Sequence, residues 1–284
     1  MSIKTNRKEM QNAQKVQTYR SVLGHLTGGF ALAASWVWPD HNPVLFCEIN
    51  KQCQKILDRH WPGVRIVGDI RETVNENIRM SIDIISGGDP CPIRSRARSN
   101  GKSKHPDLSG YFLAMVGRVR PRWVVRENVP APDDIHFCSA LEMLGYRTSI
   151  IRTDASTFTG QQRVRDIIVG CIDEARTRQF IELHNVNGDT RHSAKILGTR
   201  QVIPCLTTHR TRYDSRDCYI YDGKLRILDS HERARFAGYS AGWLNGMSEA
   251  TQARMFGNTV VPQVAEEIFR AIKTIDEETK NDKL

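Results

Sequence analysis

The chain has 284 residues, a net charge of +9 and 39% hydrophobic residues. These proportions are ordinary for a soluble globular protein, and the apolar runs are too short to cross a bilayer, which argues against a membrane-spanning protein. The excess of basic residues predicts a polyanionic partner, most simply nucleic acid. The seven cysteines include no CxxC pair, which argues against a zinc cage and, without a signal peptide, favours a reducing compartment.

Strands alternate with helices over the first 170 residues, after a polar leader at residues 1–19. This pattern predicts an α/β fold with a mostly parallel sheet. The first strand, Ser21–Leu26, leads through Gly28 and Gly29 into a helix from Phe30. Such a strand, turn and helix can cradle a phosphate or a nucleotide, although an ordinary turn has the same pattern.

Carboxylates follow the next two strands. Glu48 ends the strand Val44–Glu48, 20 residues after Gly28, where nucleoside-binding folds place an acid on the ribose. Asp69 follows the strand Val64–Val67 and could accept from an exocyclic amine, or simply cap the next helix.

Cys91 follows the apolar run that begins at Ile82 and ends in Gly87 and Gly88. The run predicts a buried strand with the thiol on the loop at its carboxyl end, where ligands bind in open α/β sheets. The following loop is basic and contains Arg94, Arg96, Arg98, Lys102 and Lys104. Positive charge lowers the pKa of a thiol and makes it a better nucleophile; the alternative is an inert structural cysteine.

Further polar groups flank the later strands. Glu127 follows the strand Trp123–Arg126, and Arg163 and Arg165 precede the strand Asp166–Cys171 on one face. The strand–helix pattern breaks down from Ile172 to about Arg200, which predicts an insertion. Ser230 is the predicted N-cap of a helix that stops at Gly238, and a last helix covers residues 263–279.

Together these motifs resemble the DNA cytosine-5 methyltransferase family of bacterial or phage type, over residues 20–275. The resemblance is carried, in chain order, by Pro90-Cys91, Glu127-Asn128-Val129, Gln161-x-Arg163-x-Arg165, Arg226, Glu232, Gly238 and Gly257-Asn258-x-Val260. It implies a Rossmann-like S-adenosylmethionine-dependent methyltransferase sheet with helices on both faces and a small irregular target-recognition region.

The resemblance also implies a role for each matching residue. Cys91 is similar to the nucleophile that adds to C6 of a flipped-out cytosine, Glu127 to the glutamate on N3, and Arg165, with its neighbour Arg163, to the arginine at O2. The implied cofactor is S-adenosylmethionine, with S-adenosylhomocysteine as product and no metal. Its implied contacts are Gly28, Gly29, Phe30, Glu48, Ile49, Asp69, Ile70, Asn258 and Val260.

The chain departs from the family pattern at several positions. Gly24 replaces a phenylalanine that usually lines the cofactor pocket, and Gly238-Tyr239-Ser240 replaces the usual Gly-Phe-Pro. The recognition region is also small, so we expect a target of about two to four base pairs. The expected DNA contacts are the basic residues after Cys91 together with Arg210 and Arg212.

The resulting organisation is a leader (1–19), a catalytic and cofactor-binding domain (20–172), a target-recognition region (173–224) and a returning C-terminal part (225–284). We expect a cytoplasmic monomer, bacterial or phage-encoded, that acts on double-stranded DNA and has no contact with a membrane. Restriction protection, phage self-protection and an orphan regulatory role remain open. The alternatives are an RNA cytosine-5 methyltransferase and a catalytically idle DNA-binding relative.

Overall fold

The computed structural model describes residues 19–24, 27–76, 81–88, 107–186, 203, 205–206, 219–221 and 225–281. The strands in this part of the chain are β1 (Arg20–Gly24), β2 (Asn42–Cys47), β3 (Arg65–Val67), β4 (Ile84–Gly87), β5 (Trp123–Asn128), β6 (Arg147–Asp154), β7 (Val164–Cys171), β8 (Tyr219–Tyr221) and β9 (Leu225–Ile227). The helices are α1 (Gly29–Val37), α2 (Lys51–His60), α3 (Ser109–Val119), α4 (Asp134–Met143), α5 (Ser156–Thr159), α6 (Glu174–Val186), α7 (Ser230–Phe236), α8 (Glu249–Asn258) and α9 (Pro262–Asn281). A 3₁₀ helix covers Ile70–Asn75.

Seven strands form one sheet in the order β3-β2-β1-β4-β5-β7-β6, and β8 pairs with β9 separately. The five strands from β3 to β5 are parallel, whereas β7 is antiparallel to both β5 and β6. The predicted α/β fold with a mostly parallel sheet is confirmed. Within the described residues, no helix combines the length and apolarity that crossing a membrane requires.

Apolar residues cover both faces of this sheet. Ile84 packs in one core cluster with Phe30 and Phe269, whereas its neighbour Ile85 packs in a second cluster with Phe112. Consecutive strand residues point to opposite faces, so a strand buried on both sides must be apolar throughout. This explains why β4 and the start of β5 read as continuous apolar runs.

After β7, where the strand–helix pattern of the sequence breaks down, residues 174–186 form a helix that was not predicted, α6. Its Phe180 is fully buried and packs on Trp123 of the sheet. Arg176 of α6 also lies 3.2 Å from Asp276 of α9. Phe180 and the partly buried Leu183 attach the helix to the core, and ion pairs join it to α9 and to Arg147 of β6. The mixed charges elsewhere along the helix concealed its periodicity.

The N-cap of α7 also differs from expectation. Asp229, rather than Ser230, caps the helix: its carboxylate accepts from the Glu232 amide at 2.8 Å, and the Glu232 carboxylate accepts from the Asp229 amide at 3.0 Å. This reciprocal capping box satisfies two backbone donors, whereas a serine one residue later would satisfy one.

Close packing determines the glycine turn between β1 and α1. Gly28 has φ of 83°, and a Cβ there would lie 2.4 Å from the Trp61 ring. A Cβ on Gly29 would lie 2.5 Å from the Tyr239 hydroxyl oxygen and 2.9 Å from the Val260 carbonyl oxygen. Both positions therefore require glycine because protein atoms already occupy the space.

We predict that Gly29→Ala lowers the free energy of unfolding by about 2 kcal/mol, because the new methyl group overpacks a buried site. The control is Gly110→Ala in α3, where a Cβ would meet nothing within 4 Å. That change should stabilise the protein by about 0.5 kcal/mol, because alanine has less backbone freedom to lose. Urea denaturation measures both; equal effects would contradict the packing at Gly29.

Candidate active site

The carboxyl ends of the parallel strands bring the predicted groups to one edge of the sheet. Gly87 at the end of β4 lies in register between Gly24 of β1 and Arg126 of β5. Because β7 is antiparallel to β5, its amino end returns to the same edge, with Asp166 opposite Asn128. The glycine turn, the end of β4, Glu127 and Arg165 therefore belong to one edge, as expected for ligand binding in open α/β sheets.

Glu127 and Arg165 form the ion pair of this edge. The Arg165 Nε atom lies 3.0 Å from the Glu127 Oε1 atom, and the two side chains are 14% and 3% exposed. Arg165 Nη1 also donates to the Val164 carbonyl at 2.7 Å. A carboxyl and a guanidinium are thus held side by side, each with limited access to solvent.

A second buried ion pair, not anticipated from the sequence, supports the loop after Glu127. Arg126 Nη1 lies 2.9 Å from Asp134 Oδ1, and the Arg126 guanidinium stacks 4.3 Å from the Phe137 ring centroid. The other Asp134 oxygen accepts from the Ala131 amide at 3.2 Å. These contacts join the loop to α4 and thereby fix the end of β5, which carries Glu127.

Arg163 points away from this ion pair. Its guanidinium donates to the Gly257 carbonyl at 3.0 Å and to the Thr259 carbonyl at 2.7 Å, and the side chain is buried. Its backbone amide donates to Asp154 Oδ1 at 2.8 Å. Arg163 therefore fastens the start of β7 to the segment between α8 and α9.

Two of the predicted cofactor acids lie near one another beyond β2 and β3. Glu48 is buried, and its carboxylate accepts from the Asn50 amide at 2.7 Å. Burial, with Glu48 and Asp69 nearby, raises the pKa of the Cys47 thiol to about 12. Asp69 is also an N-cap, accepting from the Arg71 amide at 2.9 Å and pairing with the Arg71 guanidinium at 2.6 Å.

The hydrogen bonds from Arg71 lower the pKa of Asp69, so this carboxylate is an acceptor. Adjacent Ile49 is 70% exposed and Ile70 is half-buried beside the second core cluster. This edge therefore offers two hydrogen-bond acceptors and an exposed apolar side chain, an arrangement that suits the hydroxyl and amine donors of a nucleoside.

The other predicted cofactor residues divide between turn and core. Gly29 is packed against Val260, while the Phe30 ring is 1% exposed and packs on Phe269 in the core. Asn258 ends α8 with an exposed side chain. Phe30 therefore presents only its backbone to the turn.

Several predicted site residues lie outside the described part of the chain. They are Cys91, Arg94, Arg96, Arg98, Lys102, Lys104, Arg210 and Arg212. Among the described residues, no cluster of histidine, cysteine and acidic side chains is arranged to hold a metal ion.

The family model described as C-5 cytosine-specific DNA methylase matches residues 21–201 and 184–274. The chain belongs to this family. The resemblance found in the sequence motifs is thereby confirmed, and the matched ranges include the positions of Cys91, Glu127, Arg163 and Arg165.

One relative agrees with this assignment. Over 147 residues the chain is 29% identical to the Type II methyltransferase M2.BsuMI of Bacillus subtilis (strain 168), covering 45% of this chain and 36% of that protein. The match therefore spans about a third of that relative's length.

Solved structures show the same fold. The S. pombe Dnmt2 methyltransferase superposes with a TM-score of 0.67 at 16% identity, covering 90% of this chain and 99% of that chain. The Entamoeba histolytica methyltransferase EhMeth gives a TM-score of 0.64 at 13% identity, covering 90% and 98%. The expected methyltransferase sheet is confirmed.

We predict that Arg163→Met lowers the free energy of unfolding by about 3 kcal/mol, because the buried Thr259 carbonyl and the part-buried Gly257 carbonyl both lose this donor. The matched control is Arg147→Met, which removes an exposed arginine 3.5 Å from Glu174 and should cost less than about 1 kcal/mol. Urea denaturation measures the stability of both variants. An Arg163→Met protein as stable as the control would contradict the view that Arg163 fastens β7 to the segment between α8 and α9.

Proposed function

We propose that the protein transfers a methyl group from S-adenosylmethionine to C5 of a flipped-out cytosine in double-stranded DNA, within a short sequence. The reaction proceeds through a covalent bond between Cys91 and C6 of the base. The observation that carries the proposal is the buried Glu127–Arg165 pair at the carboxyl edge of β5, 3.0 Å apart. The pair lies beside the end of β4, the strand that precedes Cys91 in the sequence.

The pair suits the edge of a cytosine. N3 and O2 are neighbouring acceptors on that edge, and they need two donors side by side. A protonated Glu127 carboxyl donates to N3, and the Arg165 guanidinium donates to O2. Because a base cannot reach buried groups while stacked in a duplex, it must be flipped out of the helix.

Cys91 supplies the nucleophile. It follows Gly87, the last residue of β4, by four residues, so the chain can carry it at most about 14 Å from the end of β4. Burial raises the thiol pKa of Cys47 and Cys171 to about 12, and it also raises the pKa of Cys53 and Cys138. These four thiols stay protonated at neutral pH and are poor nucleophiles.

The proposed reaction begins with addition and ends with elimination. The Cys91 thiolate adds to C6, the C5–C6 electron pair shifts to give an enamine, and N3 takes a proton from Glu127. C5 would then take the methyl group as the bond from that group to the cofactor sulfur breaks, with S-adenosylhomocysteine as the leaving group, and water would accept the C5 proton. The thiolate leaves C6, the ring regains its double bond, and the N3 proton returns to Glu127.

The glycine turn and the edge beyond β2 fit the cofactor. No side chain caps α1, so the backbone amides of its first turn can donate to the carboxylate of S-adenosylmethionine. Buried Glu48 provides an acceptor for ribose hydroxyls. S-adenosylmethionine supplies an electrophilic methyl group when bound.

The basic residues between Arg94 and Lys104, with Arg210 and Arg212, then contact DNA phosphates. Phosphate contacts carry most of the affinity, whereas a small recognition region reads few base edges. The proposed setting is the cytoplasm of a bacterium or of a phage host.

The test is covalent trapping on a duplex pool of random sequence in which 5-fluorocytosine replaces cytosine in one strand. Fluorine at C5 prevents the final elimination, so with S-adenosylmethionine the unaltered chain should form an adduct that survives denaturation. Cys91→Ala should form none. Cys138→Ala, which removes a buried thiol of raised pKa, should trap as well as the unaltered chain.

A folded transfer RNA containing 5-fluorocytidine tests the RNA alternative in parallel. Trapping on RNA alone would show that RNA is the substrate of the same reaction and would contradict a DNA substrate. Trapping by Cys91→Ala, or none by the unaltered chain on either substrate, would contradict the proposed mechanism.

A further inference from the structure

Three hydroxyl groups from distant parts of the chain meet in a buried triangle. The Thr27 Oγ1 atom lies 2.7 Å from Thr259 Oγ1 and donates to the Tyr239 hydroxyl at 3.0 Å. The Tyr239 hydroxyl lies 2.6 Å from Thr259 Oγ1 and donates to the Val260 carbonyl at 3.2 Å. All three hydroxyl residues are at most 5% exposed. Burial raises the pKa of Tyr239 to about 12, so its hydroxyl keeps its proton at neutral pH.

The triangle joins the glycine turn to the segment before α9. Thr27 precedes Gly28 and Gly29, and Thr259 lies between Asn258 and Val260. The Tyr239 hydroxyl oxygen also occupies the space beside Gly29, where a Cβ would approach to 2.5 Å. One phenol group therefore contacts both sides of the region that we assign to the cofactor.

The loop from Tyr239 to Trp243 makes a second contact with Thr27. Trp243 Nε1 donates to the Thr27 carbonyl at 3.1 Å. The Trp243 ring stacks on His60 at 3.6 Å between ring centroids, and His60 Nε2 lies 3.1 Å from the Trp243 carbonyl oxygen. The loop from Tyr239 to Trp243 is thus anchored on α2, so it can act as a rigid support for the turn.

We propose that Tyr239 is a positioning residue for S-adenosylmethionine, whose hydroxyl locks the glycine turn to the segment Thr259–Val260 before the cofactor binds. This rests on the proposed function. A turn that is already ordered loses less conformational freedom on binding, so the lock raises affinity without contacting the cofactor. The family pattern has phenylalanine here, which keeps the ring and lacks the lock.

The test uses Tyr239→Phe, with calorimetric titration of S-adenosylhomocysteine. Removing one hydroxyl from the triangle should raise the Kd about threefold to tenfold, the range that one hydrogen bond can contribute. In methylation assays KM for S-adenosylmethionine should rise by a similar factor, while kcat at saturation stays within about twofold.

Tyr146→Phe is the matched control. The buried Tyr146 hydroxyl donates to the Pro121 carbonyl at 2.7 Å, near the start of β5 and therefore at the opposite end of the strand from Glu127. This variant also loses one buried hydrogen bond, but its Kd should not change. Thr27→Val removes the hydroxyl that the glycine turn contributes to the triangle, and it should raise the Kd by a factor similar to that of Tyr239→Phe. The two changes combined should be less than additive, since both break one network.

Amide hydrogen exchange without cofactor provides a readout that does not depend on methyl transfer. Tyr239→Phe should speed exchange in residues 28–32 and 259–261 together, and Tyr146→Phe should not. Unchanged exchange and unchanged Kd in Tyr239→Phe would overturn the lock. An unaltered chain that binds no S-adenosylhomocysteine would contradict the proposed function instead, while the exchange comparison still decides whether the lock exists.

Discussion

The arrangement of the carboxyl edge of the sheet depends on buried hydrogen bonds to the segment from Gly257 to Val260. The Thr259 carbonyl accepts from Arg163, and its hydroxyl bonds to Thr27 and Tyr239. One buried threonine therefore joins the strand that carries Arg165 to the turn that begins α1. Buried polar groups of this kind are costly unless they are fully paired, so the correct fold of each part depends on the presence of the others.

The antiparallel direction of β7 allows Arg165 to pair with Glu127 at the carboxyl edge of the sheet. A parallel strand there would carry its amino end to the opposite side of the sheet, and Arg165 could not approach Glu127. With β7 reversed, the groups that we assign to the base belong to β5 and β7. Those that we assign to the cofactor follow β1, β2 and β3, except Asn258 and Val260 near the end of α8. The strand β4, which leads to Cys91, lies between the two sets.

The strands and most helices could be predicted from the sequence because their burial imposes a pattern on neighbouring residues. The helix α6 could not, since only Phe180 and Leu183, among the described side chains of the helix, pack in the core cluster, and mixed charges surround them. Glu127 and Arg165 were identifiable from their motifs. Tyr239 and Thr27 stand 212 residues apart, so their contact depends on the whole topology and leaves no local signal. The glycine turn was predicted as a cofactor cradle, whereas its packing against Trp61 and Tyr239 became visible only in three dimensions.

The most direct measurement is methylome sequencing of DNA from cells that express the chain, compared with cells that express Glu127→Gln. The change keeps the shape of the side chain and removes its acid, which should slow methyl transfer at least about 100-fold. With the unaltered chain we expect 5-methylcytosine at nearly every copy of one motif of about two to four base pairs. With the variant we expect little or none. Equal methylation by both proteins, or no methylated motif with either, would contradict it.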